Sequence, residues 1–317
     1  MTTTTHPLPQ QTADLFLADG GLETTLVFED GFDLPDFAAF VLLDDAGGRA
    51  ALDAYYDRYA AVAAAAGVGL TLDTATWRAS TDWGARLGHS AEDVARLNQD
   101  AVAMVEGVRD RHPETTIVIS GVIGPRGDGY QPTELMTVGE AGAYHGLQAS
   151  AFAAAGADFI SAITMTYPEE AIGVAEAARS AGLPVVVSFT VETDGRLPTG
   201  SRLGAAIEAV DAATDGYPSY YMINCAHPTH FAAELATDAP WVQRIGGIRA
   251  NASMASHAEL DEAEQLDGGD PVDLAERYAE LRQQLPHLTV LGGCCGTNHV
   301  HIEAIAERLA VSSSPAS

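Results

Sequence analysis

Short, nearly continuous apolar runs alternate with longer alanine-rich segments along most of the chain. Apolar runs of this length are typical of parallel strands that are buried on both faces. The longer segments place apolar residues at helical spacing, as Leu52, Tyr55 and Tyr59 do in the first of them. The pattern predicts eight strands, at Leu15–Ala18, Gly69–Asp73, Ile117–Gly121, Phe159–Ile163, Val185–Phe189, Tyr220–Asn224, Arg244–Ile248 and Thr289–Leu291.

A predicted helix follows each of these strands. Ser90 stands where an N-cap residue is expected, and Gly67, Gly156 and Gly182 stand where helices commonly end. The predicted helices cover Ala50–Ala66, Ala91–Arg109, Glu140–Ala155, Pro168–Ala181, Arg202–Ala213, Thr229–Ala236, Val272–Leu285 and His299–Leu309.

Eight β–α repeats in 317 residues predict an α/β protein with a single (β/α)8 TIM barrel, a fold that typically needs about 250 residues. An open doubly wound sheet is the main alternative, but it would usually have fewer strands and a phosphate-binding fingerprint. We place the barrel domain at residues 14–310, between flexible tails at 1–13 and 311–317. In such a barrel the chemistry is expected at the carboxyl ends of the strands.

The charge balance is strongly acidic. Sixteen basic residues, all of them arginine, stand against 44 Asp and Glu, for a net charge of −28. Such a surface repels nucleic acid and anionic membranes, and it also suits a protein that stays soluble in high salt. No apolar run approaches the roughly 20 residues that span a bilayer, and the polar start does not resemble a signal peptide. We expect a cytoplasmic protein without membrane or nucleic-acid partners; its oligomeric state is not indicated.

The three cysteines all follow predicted strands. Cys225 follows the sixth, while Cys294 and Cys295 follow the eighth within the glycine-rich segment 292–296. An odd number of cysteines fits poorly with a disulfide framework, and the glycines allow backbone conformations that turn both neighbouring sulfurs inwards. Three thiolates suit zinc and leave the fourth position of a tetrahedral site open. We therefore predict that Cys225, Cys294 and Cys295 bind one Zn²⁺.

A zinc ion held by three thiolates is better suited to binding a thiol substrate than to activating water. It removes the proton of the thiol and presents the sulfur as a nucleophile, which predicts alkyl transfer to sulfur. One alternative is a non-catalytic barrel that senses redox state through a vicinal Cys294–Cys295 disulfide. Another is a metal hydrolase, which is disfavoured because no His or carboxylate cluster accompanies the cysteines.

Five motifs stand in order along the chain: Asp19-Gly20-Gly21-Leu22-Glu23-Thr24, the loop from Gly121 to Pro125 running to Gly129-Tyr130, Ser188-Phe189-Thr190, Asn224-Cys225 and Gly292-Gly293-Cys294-Cys295-Gly296-Thr297. In order and spacing, from about residue 13 to 310, they resemble the homocysteine S-methyltransferase family. The resemblance implies a TIM barrel with zinc on three cysteines that match those above. It also implies two small-molecule partners, a methyl donor of the onium or folate type and the thiol acceptor homocysteine.

The resemblance also implies which residues hold the acceptor. Asp19 and Gly20 would bind its amino-acid part, and Asn224 would line the same face. We add Glu23 and Thr164 to the predicted substrate-binding residues, because both follow strands at the same end of the barrel.

One position departs from the family pattern. Relatives that methylate homocysteine often carry a Glu after the fourth strand, which contacts the amino group of the acceptor, and Ile163 stands there in this chain. An Ile side chain cannot accept a hydrogen bond from an ammonium group. Either another group such as Glu23 takes that role, or the acceptor is a different thiol.

The predicted donor-binding residues are Trp77, Arg78 and Tyr167. Trp77 and Arg78 occupy the loop after the second strand, where betaine-using relatives place aromatic residues around the donor. Trp77 offers a cation–π face to a sulfonium or ammonium donor, and Arg78 can pair with a carboxylate of the donor. Donors of this type include S-methylmethionine, S-adenosylmethionine and betaine-like molecules.

Overall fold

The eight predicted strands form a closed parallel barrel. A computed structural model describes residues 7–12, 14–132, 135–263 and 265–312. Each strand pairs with its neighbours in chain order, and the first strand also pairs with the last, through Phe16 with Val290 and Leu17 with Leu291. The predicted TIM barrel is therefore confirmed. The strands are β1 (Phe16–Ala18), β2 (Gly69–Asp73), β3 (Ile117–Ile123), β4 (Phe159–Met165), β5 (Val185–Thr190), β6 (Tyr220–Asn224), β7 (Ile245–Ala250) and β8 (Val290–Gly293).

The predicted helices are also present, and their ends follow the expected signals. Ser90 accepts a hydrogen bond from the backbone N–H of Asp93, and Gly67, Gly156 and Gly182 end three helices in the left-handed conformation. The α-helices are α1 (Leu22–Thr24), α2 (Ala46–Ala66), α3 (Thr81–Arg86), α4 (Ala91–Arg111), α5 (Val138–Ala155), α6 (Pro168–Ala181), α7 (Leu203–Thr214), α8 (Pro228–Leu235), α9 (His257–Asp261), α10 (Pro271–Gln284) and α11 (His299–Ser312).

The segment between β1 and α2 is more structured than the sequence indicated. After α1 the chain forms a short π-helix at Thr25–Glu29, followed by 3₁₀ turns at Pro35–Phe37 and Ala39–Asp44. None of these pieces has enough turns to produce a helical period in the sequence, so the pattern gave no sign of them. The segment lies beside the carboxyl end of the barrel, where the side chains of Phe28 and Phe37 are 45% and 44% exposed.

Part of the predicted N-terminal tail at residues 1–13 packs against the barrel. Pro9–Gln11 form a 3₁₀ turn, and Leu8 packs into the apolar cluster inside the barrel. The carbonyl oxygen of Gln10 accepts a hydrogen bond from Thr289 Oγ1 at 2.6 Å, just before β8. These residues close the amino-terminal end of the barrel. Residues 1–6 and 13, and residues 313–317 of the predicted C-terminal tail, lie outside the described residues.

Two apolar clusters hold the fold together. The larger one lies between the barrel and its helices and contains the buried tyrosines of α2. The smaller one fills the barrel interior with side chains such as Phe16, Val118, Phe159 and Met222, and Trp77 packs against it. The interior is therefore a packed core, and an open cavity lies above it, beyond the carboxyl ends of the strands. Within the described residues, no helix has the length and apolarity needed to cross a membrane.

Candidate metal centre and substrate cavity

Cys225 directly follows β6 and is held in an unusual backbone conformation. Its φ of 52° lies in the left-handed region, which non-glycine residues rarely adopt. Hydrogen bonds fix it there: its N–H donates to the carbonyl of Arg249 at 3.1 Å, and its own carbonyl accepts from Asn251 Nδ2 at 3.0 Å. His257 Nε2 donates to the same carbonyl at 2.6 Å. The strain is thus supported by several neighbours, as is common at functional sites.

Cys294 and Cys295 face the same site because they are the first two residues of a tight turn. Cys294 continues the extended line of β8, and its carbonyl accepts a hydrogen bond from the Thr297 N–H at 3.1 Å. Gly296, the third residue of this turn, has a φ of 78°, which such a turn requires and glycine adopts readily. The sequence interpretation assigned this freedom to the flanking glycines in general. In the structure the left-handed residues at the site are Gly296 and Cys225.

The three cysteine sulfurs lie within 4.8 Å of one another, which fits one metal ion. Sulfurs that share a tetrahedral zinc at about 2.3 Å are about 3.8 Å apart. In the structure Cys225 and Cys294 are joined as a disulfide and Cys295 is a free thiol. Because zinc binds thiolates, this bond must be reduced before all three sulfurs can act as ligands.

The redox-sensing alternative predicted a bond between the adjacent residues Cys294 and Cys295. In the structure the partner of Cys294 is Cys225 instead.

A buried arginine connects the strands beneath the cysteines. Arg249, at the end of β7, donates from Nη2 to Asp19 Oδ1 at 2.5 Å, from Nη1 to Asp73, and from Nε to the Gly293 carbonyl at 3.1 Å. Burial lowers the pKa of Arg249, but the carboxylates of Asp19 and Asp73 outweigh it, and the result lies above the ordinary value. Arg249 therefore joins the ends of β1, β2 and β8 next to the Cys294 turn.

One cavity of about 410 Å³ opens at this end of the barrel, and the three cysteines lie in its wall. It is the expected location for the active site of a barrel enzyme. Six of the predicted substrate- and donor-binding residues line it directly. Among the residues that line it are Asp19, Gly20, Glu23, Asp73, Trp77, Arg78, Trp83, Val122, Tyr130, Ile163, Thr164, Arg249 and His257.

Two predicted site residues take other roles. Asn224 does not line the cavity; it is fully buried behind it and hydrogen-bonds Thr164. Tyr167 also lies outside the cavity lining, and its hydroxyl accepts a hydrogen bond from the backbone N–H of Met136 at 2.9 Å. Neither side chain is therefore part of the cavity lining, and any effect of either on a ligand there would be indirect.

The predicted cation–π face of Trp77 is already occupied. The Arg78 guanidinium lies 4.0 Å from the centre of the Trp77 ring and 3.9 Å from that of Trp83. Arg78 is 7% exposed, and its Nη1 donates to the Gly127 carbonyl at 3.0 Å. The two rings therefore hold a cation that belongs to the protein, and that face of Trp77 is not available to a donor cation.

The structure adds two aromatic residues near the sulfurs that the sequence interpretation did not assign. Tyr130 places its hydroxyl 4.0 Å from Cys295 Sγ, and its ring lies against His257 with centroids 4.1 Å apart. Tyr130 belonged to a recognised motif, so the sequence contained a signal for it. His257 had none, because it begins the short helix α9 and reaches the site only through the fold.

Without a bound cation, the site disfavours the thiolate form of Cys295. Burial, and after it the charge of Glu23, raise the pKa of Cys295 from its ordinary value to about 11. Burial likewise raises the pKa of Glu23 to about 7, against the opposing charges of Arg78 and Arg249. Thiolates at this position thus need a compensating cation, which suits a metal ion as the group that they bind.

The fold and the site together define this protein as a parallel (β/α)8 barrel with a candidate zinc–thiolate centre at the carboxyl ends of its strands. The chain belongs to the homocysteine S-methyltransferase family, whose model matches residues 16–309. The family resemblance given by the motifs is therefore confirmed.

Curated relatives are similar over parts of the chain. A methionine synthase from Mycobacterium leprae is 30% identical over 142 residues, which are 44% of this chain and 11% of that protein. Betaine–homocysteine S-methyltransferase 1 from Rattus norvegicus is 27% identical over 171 residues, 48% of this chain and 40% of that protein. The chain thus matches less than half the length of either relative.

Solved structures are similar over nearly the whole chain. The homocysteine methyltransferase MmuM from Escherichia coli, in its oxidized form, superposes with a TM-score of 0.75 at 21% identity and covers 95% of this chain and 98% of that one. Its metallated form superposes with a TM-score of 0.73 at 22% identity and covers 93% of this chain and 96% of that one. At this identity the similarity establishes the shared fold.

Proposed function

We propose that this chain is a zinc-dependent S-methyltransferase that moves a methyl group from an onium donor to homocysteine or a related small thiol. The donor would be S-methylmethionine, S-adenosylmethionine or a betaine-like molecule. The observation that carries the proposal is the approach of three cysteine sulfurs to within 4.8 Å in the wall of a cavity. Three protein ligands leave one position of a tetrahedral zinc for a substrate.

Cys225, Cys294 and Cys295 would hold the metal once the Cys225–Cys294 bond is reduced. Zinc bound there would lower the pKa of a coordinated thiol, so that the substrate sulfur is present as a thiolate at neutral pH. Family membership and the similarity of the curated relatives support this choice of metal and reaction.

The residues of the chain would position the two substrates and exclude water. Apolar side chains such as Val122 and Ile163 form part of the wall, and Gly20 and Thr164 border the same space. In the transfer step the acceptor sulfur forms a bond to the methyl carbon while the bond from that carbon to the donor sulfur or nitrogen breaks. The electron pair of the broken bond stays on the donor atom, which becomes neutral. Alignment of the three atoms in a dry cavity supplies much of the rate.

Metal analysis and a methyl-transfer assay test the proposal. The protein purified under reducing conditions is expected to carry about one zinc per chain and to methylate homocysteine with at least one onium donor, detected by mass spectrometry. Cys225→Ala, Cys294→Ala and Cys295→Ala should each lose the metal and the activity.

Met254→Leu is the matched control, because it also removes a sulfur but from a side chain that is 60% exposed. It should keep both metal and activity. Reduced protein without zinc, or zinc retained at full occupancy in all three cysteine variants, would refute the proposal.

A further inference from the structure

Arg78 holds its guanidinium ready for an anion in the cavity. The rings of Trp77 and Trp83 fix it from two sides, at 4.0 and 3.9 Å. Its Nη1 donates to the Gly127 carbonyl, and no carboxylate of the described residues lies within 4.0 Å of its guanidinium nitrogens. A planar guanidinium held in this way suits a carboxylate.

Glu23 is the matching anion in the same cavity. Its half-buried side chain projects from α1, and the only hydrogen bond to its carboxylate within the described residues comes from its own backbone N–H. Glu23 and Arg78 do not neutralise each other, because no ion pair within 4.0 Å joins them. They are nevertheless close enough for the charge of Arg78 to oppose the rise in the Glu23 pKa. Each of the two side chains therefore lines the cavity without an ion-pair partner among the described residues.

Two other carboxylates beside the cysteines are already engaged. Asp19 and Asp73 both accept hydrogen bonds from Arg249, and Asp19 Oδ2 also lies 3.3 Å from the Tyr55 hydroxyl. Ile163 cannot accept a hydrogen bond at all. Glu23 and Asp261 both line the cavity and act on Cys295 through their charge, and the effect of Glu23 is the larger one.

We infer that Glu23 and Arg78 together recognise the zwitterionic head of an α-amino acid, with Glu23 binding the ammonium and Arg78 the carboxylate. The inference rests on the proposed function and specifies its acceptor as a thiol amino acid. Two charge-assisted hydrogen bonds of about 2.8 Å each, one at either end of the amino-acid head, would bridge two side chains that do not reach each other. Both are specificity-determining residues in this assignment.

The acceptor, rather than the donor, is the substrate that this pair fits best. The acceptor sulfur must reach the cysteines, and the Glu23 carboxylate is close enough to Cys295 to influence that thiol electrostatically. An amino acid whose ammonium meets Glu23 would have its side-chain sulfur directed toward the same region.

Truncated acceptors test the assignment in the zinc-loaded enzyme. Homocysteine is compared with 4-mercaptobutyrate, which lacks the ammonium, and with 3-mercaptopropylamine, which lacks the carboxylate. Glu23→Gln should raise the KM for homocysteine about 10-fold or more and leave the KM for 4-mercaptobutyrate unchanged. Arg78→Met should raise the KM for homocysteine similarly and leave that for 3-mercaptopropylamine unchanged. In both variants kcat should change much less than KM, because the lost contacts are made equally before and during the reaction.

Glu280→Gln is the matched control. Glu280 is an exposed carboxylate of α10 that does not line the cavity. It should leave the three KM values unchanged. Equal effects of Glu23→Gln on homocysteine and on 4-mercaptobutyrate would overturn the inference. A rise in the KM for S-methylmethionine with no change for homocysteine would also overturn it, by assigning the pair to the donor.

A binding measurement separates this inference from the proposed reaction. Calorimetry with L-methionine, 4-(methylthio)butyrate and 3-(methylthio)propylamine reports the recognition of each charge without methyl transfer. The wild type should bind L-methionine at least about 10-fold more tightly than either analogue, and Glu23→Gln should remove its preference over 4-(methylthio)butyrate. Absence of methyl transfer alongside this preference would count against the reaction alone, whereas equal binding of the three compounds would refute the assignment of the pair.

Discussion

Asn224 Oδ1 accepts a hydrogen bond from the backbone N–H of Thr164 at 3.0 Å, and Asn224 Nδ2 donates to the Thr164 hydroxyl oxygen at 2.9 Å. Thr164 needs this support, because its φ of 64° lies in the left-handed region and the pairing of β4 with β5 shifts register there. Ser188 Oγ donates to the same Asn224 oxygen at 2.7 Å. One buried amide thus fixes the bend that brings Ile163 and Thr164 to the cavity.

Asn224→Ala should therefore destabilise the protein strongly. It leaves the Thr164 N–H and the Ser188 hydroxyl without their acceptor in a fully buried place, and we expect the free energy of unfolding to fall by about 3 kcal/mol. Ser188→Ala removes only one donor and should cost about 1 kcal/mol. Urea denaturation of both variants measures the difference. Equal losses would mean that Asn224 does not have this central role.

Arg249→Met should lower the free energy of unfolding more than the loss of an ion pair near the surface does. It leaves the carboxylates of Asp19 and Asp73 buried without a cation, which typically costs about 3–5 kcal/mol. Burial already raises the pKa of Asp19 to about 7, and loss of the opposing Arg249 charge raises it further, so the penalty is largest at high pH. The stability difference from wild type should shrink as the pH falls from 8 toward 5.

Arg244→Met is the control for this prediction. Arg244 pairs with Asp211 at 2.7 Å near the surface, where the two side chains are 30% and 26% exposed. We expect a loss of about 1 kcal/mol with little dependence on pH in the same range. Denaturant titrations at several pH values compare the two variants, and parallel pH profiles would contradict the assigned role of Arg249.

Tyr130→Phe should weaken zinc binding without disturbing the fold. The hydroxyl 4.0 Å from Cys295 Sγ is lost, while the ring can still pack against His257. Groups that hydrogen-bond to metal ligands commonly contribute a factor of about 10–100 to metal affinity, and we expect a loss of about 10-fold. Competition with a chromogenic chelator measures the affinity. Tyr144→Phe, which removes a hydroxyl bonded to Ser80 at 2.8 Å instead, should bind zinc as the wild type does.

The barrel and its cysteines could be predicted from the sequence because both depend on local patterns. Buried parallel strands give continuous apolar runs, and the order of the strands then places Cys225, Cys294 and Cys295 at one end. Contacts between distant residues leave no such pattern. Arg249 and Asp19 are 230 positions apart, and nothing in the sequence indicates that they pair.

The occupied face of Trp77 could not be predicted from the sequence for a related reason. The sequence correctly placed an aromatic ring and a cation in one loop, but it did not show that a second ring, Trp83, comes from the next helix. The Arg78 guanidinium lies against both rings and is itself the cation in these two cation–π contacts. The same residue types therefore form a site for an anion.

Glu23→Gln should change how stability depends on pH in the reduced, metal-free protein. Burial raises the pKa of Glu23 from 4.5 to about 7 in the folded state, so the folded protein binds the proton more tightly than the unfolded chain does. The favourable contribution of the protonated carboxyl is complete below pH 4.5 and is lost as the pH rises through about 7. Gln stays neutral throughout, so the variant should match the wild type near pH 4.5 and exceed its stability above pH 7. Denaturant titrations between pH 4.5 and 8.5 check this, with Asp36→Asn as the exposed control. A stability difference that stays constant over that range would show that Glu23 titrates as an ordinary surface carboxyl.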